Sequence, residues 1–201
     1  GKNSTIQRHD ERYMRRRVKY HQERFRQAIA CAYANDWPIT VALTITWSAL
    51  INAGENREGN CLSKGEWERD KYLRKELARC RSKNTSAPFV AIWGRDVGHY
   101  LGEHIHLGLF WPDYALNKLV AVLTRISGSS AEPISQVPNG SIFARSVCGG
   151  WQINLVQNSA NKTAALRWAD YIATQQLKHN HRRDLEGNVF GISRSISNGD
   201  T

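Results

Sequence analysis

From Gly102 to Phe110 the chain reads Gly-Glu-His-Ile-His-Leu-Gly-Leu-Phe, an alternation that an extended strand sorts onto two faces. Ile105, Leu107 and Leu109 take one face and require a core against it. His104 and His106 leave from the other, so two imidazoles able to bind a metal stand side by side. The same spacing also suits a hydrogen-bonded pair of core histidines. A second triplet, His179-Asn180-His181, follows a helical stretch in a basic tail and reads as phosphate-facing or solvated.

The surrounding pattern predicts a helix over about Glu11 to Asn35, with Tyr20, Phe25, Ala28, Ile29 and Ala32 at helical spacing, stopping before Asp36-Trp37-Pro38. Ile39 to Trp47 alternates large apolar residues with Thr or Ala and reads as a half-buried strand. Residues 53–62 form a Gly/Asn-rich loop, and 65–83 a solvated amphipathic helix that covers rather than binds. Pro88 to Trp93 is a strand, with Gly94 to Gly102 connecting it to the histidine strand as a hairpin. Asp113 can cap a helix through Leu116, Leu119 and Leu123 that ends near Gly128. Residues 142–147 and 151–156 make another hairpin around Cys148-Gly149-Gly150. Lys162 to Lys178 is a helix whose buried stripe is Ala165, Trp168, Ala169, Ile172 and Ala173. Five strands and four helices without strict βαβ alternation predict an α+β fold, a central antiparallel sheet flanked by helices. We divide the chain into a basic arm and helix (1–35), a central domain (36–180) and a basic, partly ordered tail (181–201).

The 201 residues carry a net charge of +10, which favours a polyanionic partner, nucleic acid being the commonest. Nine basic residues against three acidic ones fall in the first 27, among them Arg15, Arg16 and Arg17, and such an arm suits a phosphate backbone. Arg167, Arg182 and Arg183 are further phosphate-facing candidates. Trp111 and Trp151, at strand ends, are candidates for stacking on bases, while Trp47, Trp93 and Trp168 fit core positions. Cys31, Cys61, Cys80 and Cys148 are too widely spaced for a zinc knuckle or a disulfide framework and read as reduced thiols. With no apolar stretch long enough to span a membrane, a cytoplasmic protein is expected. The chain opens on Gly1 rather than Met, so flanking domains are expected outside it.

On the last helix Tyr171, Gln175 and Lys178 lie at i, i+4 and i+7 and share one face. A phenol becomes a usable nucleophile when a cation sits beside it, and Lys178 can supply an ammonium. Gln175 offers a neutral oxygen that would complete a two-His, one-oxygen ligand set with His104 and His106. Asp96, His99 and Glu103 stand near enough in sequence to be alternative ligands.

These segments together resemble the HUH (His-hydrophobe-His) single-strand endonucleases. Gly102 to Leu107 is similar to their histidine motif, Leu43-Thr44-Ile45-Thr46-Trp47 to their first motif, and Tyr171 to Lys178 to their tyrosine helix. In rolling-circle initiators of phages and plasmids that helix often carries Tyr, a second Tyr four residues on and Lys three later; Gln175 replaces the second Tyr here. Single-tyrosine transposases of the same superfamily place a Gln there as third metal ligand, which Gln175 resembles. The resemblance implies a ferredoxin/RRM-like core and a divalent metal, Mn or Mg. It also implies nicking and joining of single-stranded DNA through a 5′-phosphotyrosine on Tyr171. The reading from another class is a non-catalytic module that binds single-stranded nucleic acid. A histidine-triad hydrolase would need a further His where Gly108 stands, and a zinc site would recruit His99.

Overall fold

The computed structural model describes residues 2–46, 48–50, 66–98, 102–133, 141–156, 162–178 and 189–197, the side chains of 2–10, 66–68 and 176–178 excepted. In chain order the elements are α1 (Lys2–Ala34), β1 (Val41–Thr46), α2 (Glu66–Asn84), β2 (Ala91–Gly98), β3 (Gly102–Leu109), α3 (Leu116–Ser127), β4 (Ile142–Arg145), β5 (Trp151–Leu155), α4 (Lys162–Lys178) and β6 (Phe190–Ile192). The strands form one open sheet, β4-β5-β1-β3-β2-β6, in which every pairing is antiparallel. This is the α+β class expected from the sequence, with a sixth strand added. β6 lies in the stretch read as tail, where three residues centred on Gly191 offer no alternation to detect.

Strand periodicity divides the sheet into two buried faces. On one, Leu43, Ile45, Trp93, Ile105, Leu107 and Ile153 pack beneath α2 and α3. On the other, Ile92 and the preceding Ile39 and Val90 meet Phe25, Ala28, Ile29 and Ala32 of α1 and Ala165, Ala169, Ile172 and Ala173 of α4. β1 is therefore buried on both sides rather than half-buried as its pattern predicts, because a second helical layer covers its Thr and Ala positions. α2 covers the sheet as expected, yet it buries Asp70, Glu76 and Arg81 as well as Leu73 and Leu77, so it is less solvated than its composition implies.

α1 begins at Lys2 rather than near Glu11, since its first turns hold a single large apolar residue, Ile6, and so carry no periodic signal. Asp113 does not cap α3. It opens a 3-10 turn, Asp113–Ala115, and α3 starts behind Ala115, which has no side-chain oxygen to offer. Gly128 closes α3 at φ 66°, a left-handed conformation that favours glycine. Cys31, Cys80 and Cys148 are free, and Cys61 lies outside the described residues. Among the described residues no helix is long and apolar enough to cross a membrane.

α4 approaches the sheet closely because two strand positions lack side chains. A Cβ on Gly94 would fall 2.5 Å from Ile172 Cγ2, and one on Gly108 within 3.2 Å of Ile39 and Trp168. Gly94→Ala is accordingly expected to push α4 outward and destabilise the fold by about 1–3 kcal/mol, read as a lower urea midpoint at unchanged slope. A midpoint equal to the parent's would show that the helix yields without cost.

Candidate metal centre and tyrosine helix

β2 does not stop at Trp93 but runs on to Gly98, so Arg95 and Asp96, read from sequence as part of a connection, are strand residues. Register then decides what meets what. Asp96 and Thr46 flank His104, and Gly94 and Thr44 flank His106, all on the face covered by α1 and α4. Asp96, His104 and His106 are buried, and their donor atoms lie within 4.8 Å of one another. His104 Nε2 is 3.1 Å from His106 Nε2 and 3.8 Å from Asp96 Oδ2.

The outer nitrogens are occupied. His104 Nδ1 lies 3.0 Å from the Gly102 carbonyl oxygen, which only accepts, so Nδ1 carries the proton and Nε2 keeps its lone pair for the centre. His106 Nδ1 lies 2.9 Å from Thr44 Oγ1, a hydroxyl able to accept in the same way. Partners on the outer nitrogen that fix the tautomer and aim the inner one are what a metal-binding imidazole requires. The spacing fits as well. Two donors about 2.1 Å from one octahedral ion and at right angles lie about 3.0 Å apart. Two imidazoles and a carboxylate, buried and convergent, can hold a divalent metal ion.

Of the alternative ligands, Asp96 joins the cluster. Glu103 goes to the opposite face and is bound to Arg95 Nη2 at 2.6 Å, and His99 lies outside the described residues. Behind the site, Arg95 also faces Asp70, whose carboxyl burial pushes above its ordinary range against the opposing pull of Arg74 and Arg95. Arg74 binds Asp70 at 2.9 Å and lies over the Trp93 ring at 4.2 Å. This buried ionic group fastens the β2–β3 hairpin to α2, and no motif in the sequence announces it.

α4 brings the tyrosine to the histidines. The Tyr171 ring centroid is 5.2 Å from that of His106, at 76° between planes. On its other side it stacks on Trp168 at 5.1 Å and 11°. Trp168, assigned from sequence to the core stripe, is half-buried; its indole N–H donates to the Leu107 carbonyl at 3.0 Å, and its ring also touches His106. Tyr171 remains 39% exposed. Burial first, and then the Asp96 carboxylate, push its phenol above the ordinary value of 10. The protein alone therefore disfavours the phenolate.

Gln175 lies one turn beyond Tyr171, buried, with Nε2 lacking a hydrogen-bond partner. Lys178 ends α4, and its side chain lies outside the described part. Arg167 on α4 and Arg15 and Arg16 on α1 are exposed, and Arg17 is half-buried. Arg182, Arg183, His179 and His181 lie outside the described residues, as does the Trp47 side chain. Trp111 and Trp151 are not stacking platforms. Both are fully buried, and their indole N–H groups donate to the Ala115 carbonyl at 2.9 Å and to Ser127 Oγ at 3.1 Å.

No family model matches the chain, and neither a curated protein nor a solved structure does.

Proposed function

We propose that the protein is an HUH-type enzyme that nicks and joins single-stranded DNA with Tyr171 as nucleophile and a divalent ion, Mn²⁺ or Mg²⁺, on Asp96, His104 and His106. The observation that carries this reading is the half-exposed Tyr171 ring lying directly on His106, within one helix-to-strand contact of three convergent metal donors. When bound, the ion would polarise the scissile phosphate and offset the charge that builds up on it. Trp168 holds the phenol in place from behind, and His104 and His106 are held in turn by Gly102 and Thr44. As the Tyr171 Oη–P bond forms, the P–O3′ bond breaks; the phenol gives up its proton and the departing oxygen gains one. Because one phosphate ester replaces another, the reaction runs backward to join strands without an added energy source. Gln175, aligned with Tyr171 on α4, is the further oxygen donor we assign, and Lys178 the ammonium that lowers the cost of charge at the phenol.

Incubation with Mn²⁺ and a pool of single-stranded oligonucleotides should yield a protein–DNA adduct that survives denaturation. Binding without adduct over the full range of ions and sequences would instead leave a non-catalytic single-strand binding module.

The basic half of α1 gives a second expectation. Arg12, Arg15, Arg16 and Lys19 are exposed on a helix that contributes no buried side chain before Val18 among the described residues. Affinity for single strands should fall with salt on a log–log slope of about −0.7 per phosphate neutralised, and deleting residues 1–17 should flatten that slope. An unchanged slope would assign this half of the helix to solubility.

A further inference from the structure

Beside the exposed residues just named, α1 carries a second basic group, in which Arg17 and His21 are half-buried and Arg24 is exposed. Arg17, His21 and Arg24 lie at i, i+4 and i+7 and so share one face of the helix. The His21 ring rests on Phe190 of β6 at 4.3 Å, with Tyr20 edge-on at 5.2 Å, and the Arg24 guanidinium lies over Tyr20 at 5.7 Å. Among the described residues, the charged groups acting on His21 are Arg17 and Arg24 of its own helix, and β6 presents only the Phe190 ring. Glu23, the nearest acid in sequence, is turned to Gln27 at 3.2 Å. Burial, then Arg17, then Arg24 drive the imidazole down to about 4, so it is neutral at neutral pH and keeps one N–H to donate. Two guanidiniums and a half-buried donor, with no carboxylate paired to them among the described residues, form a patch of positive potential suited to an anion.

Its position gives that anion a source. Phe190 pairs with Gly94, and Gly94 with His106, so the ring beneath His21 is two strands, about 10 Å, from His106 in one row of the sheet. α1 ends at Ala34, shortly before Val41, which pairs with Leu109 at the far end of β3. From His21 toward its N-terminus the helix therefore runs to the end of the sheet that holds Asp96 and His104, with Arg17 one turn further that way. α4 lies antiparallel to it, Asp170 meeting Arg26 and Lys162 lying over Tyr33, so Tyr171 and Gln175 lead toward the same end.

We propose that Arg17, His21 and Arg24 bind one backbone phosphate diester of a nucleic-acid strand, at a site separate from the metal centre. That the strand is the one nicked rests on the function proposed above; the site itself does not. An anion held there offsets the two guanidiniums, so the imidazole takes up a proton on binding. Its titration moves up from about 4 toward the ordinary 6.5, and affinity rises as pH falls through that window.

The test is a histidine NMR titration of the intact protein in chelator, where no cleavage proceeds, with and without an eight-residue oligothymidylate. The His21 midpoint should rise by about one unit or more, corresponding to about tenfold tighter binding to the protonated form. Arg17→Gln with Arg24→Gln should weaken oligonucleotide binding about tenfold or more and flatten the salt slope by about 0.7 for each phosphate no longer neutralised. Lys75→Gln with Lys118→Gln, which removes the same charge from exposed positions on the other side of the sheet, should cost much less. An unmoved His21 midpoint, or equal losses in the two double variants, would overturn the proposal. A response to inorganic phosphate with none to the oligonucleotide would overturn the strand assignment. Loss of the covalent adduct with an intact His21 response would remove the nicking reading and leave this site standing.

Discussion

Tyr171→Phe is expected to abolish the covalent adduct while leaving Mn²⁺ binding and single-strand affinity at parental levels. The substitution keeps the ring that stacks on Trp168 and meets His106, and deletes the phenol oxygen proposed as the nucleophile. Nothing in the packing of α4 has to change, so a loss of activity cannot be charged to misfolding. The parent's pH profile is a second readout. Burial and then Asp96 push the phenol above its ordinary value of 10, and in the proposed reaction the phenolate is the attacking form. Adduct formation should therefore climb with pH across the neutral range, by about tenfold per unit while that ionisation limits the rate. Saturating Mn²⁺ should move the whole rise to lower pH, because a cation beside His106 opposes both causes of the upward shift. A Tyr171→Phe protein that still forms adduct, or a profile indifferent to the ion, would sink the assignment of Tyr171.

The parts of the site legible in sequence are those where one periodicity governs. The His104/His106 face follows from a period of two, and α4 runs from Lys162 to Lys178 as its stripe predicts, so the tyrosine-bearing face was readable too. Asp96 was visible only as a nearby acid, because Gly94-Arg95-Asp96 breaks the apolar run of β2 and looks like a turn. The reason is physical: Gly94 is small because Ile172 of α4 occupies the place of its side chain, and Arg95 is polar because Glu103 neutralises it within the opposite core. A strand that carries a helix contact and a buried ion pair loses its hydrophobic signature while keeping its hydrogen bonds. Trp111 and Trp151 mislead in the reverse sense. Aromatic residues at strand ends look available for stacking, yet each indole N–H has a buried acceptor, which only the fold supplies. The positive cluster on α1 escapes because His21 becomes notable only once Phe190 lies beneath it.

Replacing His104 and His106 together by Ala is expected to erase metal binding, and the structure requires that this be separated from an effect on folding. Both rings are buried, Thr44 Oγ1 and the Gly102 carbonyl each lose a partner, and Tyr171 and Trp168 lose the ring they pack against. A cost of about 2–5 kcal/mol in the metal-free state follows from the cavity and the stranded polar groups. Stability alone is thus the wrong readout, and the response to the ion is the right one. In the parent, Mn²⁺ at about 100 times its Kd should add about 2.7 kcal/mol, a rise in Tm of about 5–11 °C for a chain of this size. The double variant should show no rise at any Mn²⁺ concentration, and Asp96→Asn, which keeps the shape but removes the charge, should need more ion to reach the parental shift. A double variant whose Tm still climbs with Mn²⁺ would place the ion elsewhere, and the convergent Nε2 atoms would then be a hydrogen-bonded core pair.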